Sequence, residues 1–298
     1  MNRRKVVGCL AAGAAIGDWA WAADIPVIDT HVHLFDTLRP QGVPWPGKND
    51  PVLYKPAMPD RYRALAVPHG VKGAIEVEAS PWFDDNQWVL DVIAKEPLFV
   101  GTVGNLEVGK PGFAANLEKL NRNPLFLGIR YGNLWNRDIH TELGKPQFVE
   151  DLKLLSKARL SLDVANPTPQ LVADVVRITD LVPDLRVIVD HLPQLTKPAD
   201  TAAAKTYQSH LQVLGRRPQV YVKISQVFRS VNGAVQTDRQ LYRGVMDELF
   251  GVFGQNRVLY GSDWPNSDKW QPYSEVFGLV NEFFLGKGAT IAEKYFWR

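Results

Sequence analysis

Two histidines spaced i, i+2 close the apolar run Val27-Ile28-Asp29-Thr30-His31-Val32-His33. Side chains alternate along a strand, so His31 and His33 project to one side, where two imidazoles can converge on a cation. The plain alternative is that two of the six histidines fall together by chance, so the pair must be judged by partners at other strand ends. Asp263 is the first such partner. In Val258-Leu259-Tyr260-Gly261-Ser262-Asp263-Trp264-Pro265 an apolar strand delivers a carboxylate that can ligate a metal, accept a proton from water, or do both in turn. Its structural alternative is a helix cap ahead of Pro265. His191 follows Val187-Ile188-Val189-Asp190 and could be a third ligand, or a base or electrophile facing a substrate.

Such groups meet only if a scaffold brings distant strand ends together. Short β-branched runs recur at Val27–His33, Gly73–Ala79, Phe99–Asn105, Leu125–Tyr131, Leu160–Ala165, Arg186–His191, Gln219–Val227 and Val258–Asp263. Amphipathic segments such as Phe148–Ala158, Leu171–Leu181 and Leu241–Phe250 lie between them and suit crossover helices. Eight strands alternating with helices predict an α/β fold, a single (β/α)8 TIM barrel whose chemistry gathers at the strand ends. In a closed barrel the eighth strand neighbours the first, which would set Asp263 beside the two histidines. An open doubly wound sheet is the rival architecture, but no Gly-x-Gly-x-x-Gly turn follows the first strand. Thr37–Pro59, rich in Pro, Gly and aromatic residues, is expected as a long loop over the barrel mouth.

The first residues read differently. Asn2-Arg3-Arg4-Lys5, the small and apolar stretch Val6–Ile16 and Ala20-Trp21-Ala22 have the form of a secretory signal, and the paired arginines favour the twin-arginine type. Residues 1–22 are therefore expected to be cleaved, leaving a domain over 23–298 in the periplasm or outside the cell, without stable membrane association. A retained membrane anchor is the alternative, disfavoured by the short apolar run and by Asp18. Removing Arg3, Arg4, Lys5 and Asp18 takes the formal charge from +2 to zero, which gives no reason to expect nucleic acid as a partner. The only cysteine, Cys9, leaves with the signal, so any metal must be held by His, Asp, Glu or modified Lys.

Taken together, Ile28-Asp29-Thr30-His31-Val32-His33, Gly128-Ile129-Arg130, Asp190-His191-Leu192, Val222-Lys223-Ile224-Ser225 and Gly261-Ser262-Asp263-Trp264-Pro265 resemble the amidohydrolase-related family of metal-dependent barrel hydrolases. Within it the pattern is similar to the lactonases that act on sugar lactones, pyrone dicarboxylate and muconolactones. The resemblance implies that His31, His33 and Asp263 are metal ligands, that Asp263 is also the general base, and that His191 faces the substrate. It implies further that Arg130 grips a substrate carboxylate, as a planar bidentate donor would. One departure stands out. Many relatives place a metal-binding histidine at the end of strand five, where this chain reads Leu160-Ser161-Leu162-Asp163-Val164-Ala165. Asp163 or Glu78 is the candidate replacement, and both join Arg130 and the weaker candidate Arg229 as expected substrate contacts. Lys223 is expected in a salt bridge or a substrate contact, and Trp45, Tyr54, Trp82, Trp135 and Trp264 on loops at the mouth.

The function expected is a metal-assisted hydrolase that opens the cyclic ester of a small, carboxylate-bearing lactone. Its cofactor would be a divalent ion, zinc first and manganese second, with weak or absent occupancy left open because some relatives work with little bound metal. A decarboxylase of an unsaturated or aromatic acid is the chemical rival, and a non-catalytic ligand- or metal-binding barrel the other. The expected partner is a small-molecule substrate, with self-association into a homo-oligomer left open.

Overall fold

Eight parallel strands run in the order β1 (Val27–Val32), β2 (Val71–Val77), β3 (Phe99–Gly104), β4 (Phe126–Gly132), β5 (Ser161–Ala165), β6 (Arg186–Val189), β7 (Val220–Lys223) and β10 (Val258–Leu259), each hydrogen-bonded to the next. The computed structural model describes residues 25–231 and 233–298, so the predicted signal over 1–22 lies outside the described residues. The ring closes between its last and first strands. Thr30 N donates to Tyr260 O at 3.1 Å, Asp263 N to His31 O at 2.9 Å and His33 N to Trp264 O at 2.8 Å. The fold is a single (β/α)8 barrel, as the alternation of strands and helices predicts.

Most strand residues are buried on both faces, as expected where helices cover the outside of a parallel ring. Crossover helix α6 (Pro169–Leu181) shows why these segments form. Thr168 caps its first turn by accepting from Leu171 N at 3.1 Å, Pro169 opens the helix, and Leu171, Val172, Val175 and Ile178 form one buried stripe. Each such side chain contributes roughly 1.5–3 kcal/mol by leaving water. Two more helices that bear on the site are α1 (Pro59–Ala66) and α9 (Tyr273–Leu285).

Two strand readings shift. The run Gln219–Val227 pairs only over Val220–Lys223, because Gln226 turns into a left-handed conformation at φ 47° and leaves the ladder. Beyond it a short antiparallel hairpin joins β8 (Ser230–Val231) to β9 (Ala234–Val235), an element with no counterpart in the predicted pattern. The run Val258–Asp263 pairs with β7 only over Val258–Leu259, and its remainder turns to β1. The loop after β1 is strapped down by paired backbone bonds between Phe35 and Ala57 and by an Arg39–Asp85 ion pair at 2.6 Å. Among the described residues no helix is long and apolar enough to cross a membrane.

Candidate active site

At the C-terminal ends of the strands a cavity of about 270 Å³ opens between the loops. His33 from the end of β1, Arg130 from β4, and His191 and Asp263 from beyond β6 and β10 all reach it. Five residues on its wall, Trp135, Asn166, His191, Gln226 and Asp263, have φ between 47° and 60°. This left-handed backbone costs a non-glycine residue roughly 1–2 kcal/mol, so surrounding contacts must hold it.

Asp263 is the centre. Its Oδ2 accepts from the carboxamides of Gln226 and Asn266, the latter at 2.8 Å. Its Oδ1 faces three imidazole nitrogens: His33 Nε2 at 3.0 Å, His191 Nε2 at 3.5 Å and His31 Nε2 at 3.6 Å. Burial pushes this carboxyl up, but the surrounding histidines outweigh it and hold the group well below the ordinary carboxylate range. It is an anion with one oxygen pinned and the other presented.

His33 shows what the presented oxygen requires. Val77 O can only accept, so the 2.7 Å contact fixes the proton of His33 on Nδ1. In that tautomer Nε2 carries a lone pair 3.0 Å from an anionic oxygen, and only a proton or a cation between them makes the approach favourable. His191 Nδ1 meets Ser225 Oγ at 2.8 Å, and burial pushes its pKa down, favouring the neutral ring. His31 is fully buried beneath the cavity and is driven further the same way, by burial and then by the Lys223 ammonium.

The ligand atoms of His31, His33 and Asp263 lie within 4.8 Å of one another, and so do those of His31, Asp190 and His191. The donor chemistry fits a divalent metal ion. The atoms are nitrogen and oxygen, and His33 Nε2 is a lone pair by virtue of Val77 O, a carbonyl backing of the kind usual for a ligating histidine.

The remaining predicted residues divide. Arg130 reaches the cavity but is already engaged: its Nε donates to Glu78 Oε1 at 3.0 Å and its Nη2 to Glu78 O at 2.5 Å, while Nη1 lies 3.5 Å from His31 Nε2. Glu78 therefore answers Arg130, and accepts also from Trp135 Nε1 and Ser80 N. Asp163 does not line the cavity. It sits lower in the barrel, accepting from Lys223 Nζ at 2.6 Å, and Lys223 also meets Asp190 at 3.0 Å and His31 Nδ1 at 3.2 Å. Neither Asp163 nor Glu78 is placed as the missing strand-five ligand. Arg229 also stays off the cavity wall, since the chain turns away after Gln226 and Tyr242 Oη holds its backbone. Of the predicted aromatics, Trp45 and Trp135 line the cavity, whereas Trp264 is fully buried under Arg61 and against Tyr62.

Sequence reasoning passed over Gln226, Asn266 and Asn166. Carboxamides on loops follow no spacing rule, and the one available cue was the proximity of Asn266 to Asp263 in the chain.

A barrel with an anchored carboxylate and three imidazoles at its strand ends defines an enzyme of the hydrolytic (β/α)8 class. A family model described as Amidohydrolase matches residues 28–298, and the chain belongs to that family. L-Fucono-1,5-lactonase of Burkholderia ambifaria is 25% identical over 245 residues, 80% of each chain. L-Fucono-1,5-lactonase of Burkholderia multivorans is 24% identical over 280 residues, 91% of this chain and 92% of that one. A solved amidohydrolase from Burkholderia multivorans with bound zinc shares the fold at a TM-score of 0.80 and 21% identity, covering 91% of this chain and 96% of its own.

Proposed function

We propose that the protein hydrolyses the cyclic ester of a small, uncharged, hydroxyl-rich lactone of the sugar-acid type. The observation that carries this is Asp263, whose Oδ2 is pinned by Gln226 and Asn266 while Oδ1 faces the imidazoles beside the cavity. An anionic oxygen so held can take the proton of an attacking water. Gln226 and Asn266 keep it from turning away. His191 contributes a neutral ring: with Ser225 Oγ–H donating to Nδ1, its proton lies on Nε2, where it can donate to the oxygen on which charge develops or to the departing ring oxygen. A divalent ion held by His31, His33 and Asp263, zinc being our choice, would supply Lewis-acid polarisation of the ester carbonyl.

The substrate class follows from what Arg130 has already spent. A carboxylate-bearing lactone needs a free cationic fork, but the Nε and Nη2 of Arg130 are committed to Glu78, and Asp263 adds negative charge at the same wall. What remains for recognition is carboxamide and indole: Asn166 and the carbonyl oxygens of Gln226 and Asn266 for hydroxyl groups, Trp45 and Trp135 for a ring face. Two relatives named as L-fucono-1,5-lactonases support the same class. A pH-indicator assay with the purified protein tests it on neutral aldonolactones, dicarboxylate lactones and hydroxybenzoic acids. Acid release from the neutral lactones, at higher kcat/KM than from charged ones, is expected. Preference for the dicarboxylates would overturn the substrate class, and carbon dioxide release without ring opening would overturn the reaction.

A further inference from the structure

The seam between β10 and β1 is the weakest-laddered part of the barrel, and it is where His31 and Asp263 face each other. β10 spans two residues, and its continuation meets β1 in a single isolated bridge between Val32 and Trp264. A side chain enters the seam at that point. Asp29 Oδ1 accepts from Ser262 N at 2.8 Å and from His31 N at 3.2 Å. Since Asp263 N in turn donates to His31 O at 2.9 Å, the backbone of His31 is tied at both ends to the segment that bears Asp263. Asp29 Oδ2 is held from the helix layer, by Tyr62 Oη of α1 at 2.8 Å and Tyr273 Oη of α9 at 3.4 Å, with Tyr260 Oη donating to Tyr273. All four side chains are buried.

We propose that Asp29 is a positioning residue whose carboxylate sets the separation of His31 and Asp263 across the barrel seam. A carboxylate reaches two amides from one oxygen where a regular strand pair would have offered carbonyls, and the tyrosines prevent it from rotating out. The hold on the His31 backbone at the seam therefore runs through a side chain two residues earlier. The consequence is directional: loss of the Asp29 acceptor moves His31 and Asp263 relative to each other, while Asn166 and Trp135 on other loops of the cavity wall are not held by it.

The test compares Asp29→Ala, Asp29→Asn and Asp151→Ala. Asp151 is an equally buried carboxylate far from the site, accepting from Gly109 N at 2.7 Å. Turnover of a neutral aldonolactone is followed together with the ¹⁵N signals of the histidine rings, that of His31 being identified by its loss in His31→Gln. Asp29→Ala is expected to lower kcat at least about tenfold, with KM within about threefold, and to displace the His31 ring signals, because one lost acceptor on a reacting pair is worth at least ~1.4 kcal/mol. Asp151→Ala is expected to melt earlier with kcat and His31 signals intact. Asp29→Asn, whose carbonyl still accepts from both amides, is expected to keep kcat within about threefold. The inference is overturned by an Asp29→Ala enzyme with unchanged kcat and unmoved His31 signals. It is equally overturned by an Asp29→Asn enzyme that loses more than that, whether or not the alanine variant folds. Only the kinetic arm rests on the lactonase reading; if the wild type opens no lactone, that reading fails, and the His31 signals alone decide the role of Asp29.

Discussion

The barrel holds two layers of buried polar groups, one above the other, and they are built on opposite principles. In the lower layer every hydrogen of the Lys223 ammonium has an acceptor within reach: Asp163 at 2.6 Å, Asp190 at 3.0 Å and His31 Nδ1 at 3.2 Å. In the upper layer, Asp263 Oδ1 meets His33 Nε2 with no hydrogen assigned between them in the tautomer Val77 selects. Charge pairing is present in both, so it does not distinguish a site from a strut. What distinguishes them is how the charge is met: the lower layer carries its own cation in Lys223, although neither oxygen of Asp190 has a hydrogen bond, whereas the upper one is finished only by a proton, a cation or a substrate. His31 belongs to both, one nitrogen facing each.

Replacing a residue of the upper layer should abolish activity and spare stability, and Asp263→Asn is the sharpest case. Losing the proton acceptor is expected to lower lactone turnover by about 10²–10⁴-fold while the melting temperature stays near that of the wild type. A fall of less than about tenfold would move the base to another residue. Lys223→Met should behave in the opposite way. It strands Asp163 and Asp190 without their cation, and breaking a buried pair from one side costs roughly 3–5 kcal/mol, readable in chemical denaturation. Were stability unchanged, the lower layer would not be the strut its geometry describes.

The division between the layers also marks what could be read from residues alone. His31, His33, His191 and Asp263 were legible because each ends an apolar run, and a barrel must bring such ends together; Arg130, inside β4, was reached only through the family resemblance of Gly128-Ile129-Arg130. The partners these residues engage were not legible. That Arg130 would spend its fork on Glu78 depends on a reach from β4 across β3 to the end of β2, which no local pattern encodes. Asp29 was hidden for a different reason: it acts on backbone amides of His31 and Ser262, and a side chain serving the main chain has no partner type to search for. The left-handed turns at Gln226 and His191 were equally silent, since neither residue is a glycine.

A third variant tests a buried acid that belongs to neither arrangement. Glu76 accepts from Thr102 Oγ1 through Oε2, its other oxygen has no partner, and burial pushes its pKa up to about 8. The folded state thus holds this proton at pH values where the unfolded chain, with an ordinary glutamate, has released it. Its contribution to stability is complete below the unfolded pKa and lost as pH rises through that of the folded protein. Glu76→Gln copies the protonated acid at every pH, so it should match the wild type near pH 4.5 and be more stable by a few kcal/mol, up to about 4, at pH 8. Parallel stability curves for the two proteins between those limits would mean that Glu76 is ionised in the fold.

The smallest expected effect probes the rim above both layers. Trp135 offers Glu78 an indole N–H at 3.1–3.2 Å and its ring to the cavity, so Trp135→Phe removes the hydrogen bond and keeps an aromatic face. Glu78 retains Arg130 and Ser80 N, which limits the cost to about 0.5–1.5 kcal/mol. If the indole matters chiefly by keeping Glu78 on Arg130, the loosened fork becomes available to anions: KM for a neutral lactone should rise about twofold to fivefold while a dicarboxylate lactone becomes a better competitor. If Trp135 matters chiefly as a wall, Trp135→Ala should raise KM for the neutral lactone further, with no gain for the dicarboxylate in either variant. The two outcomes separate a rim that selects by charge already spent from one that selects by shape, and inhibition constants for the two lactone classes decide between them.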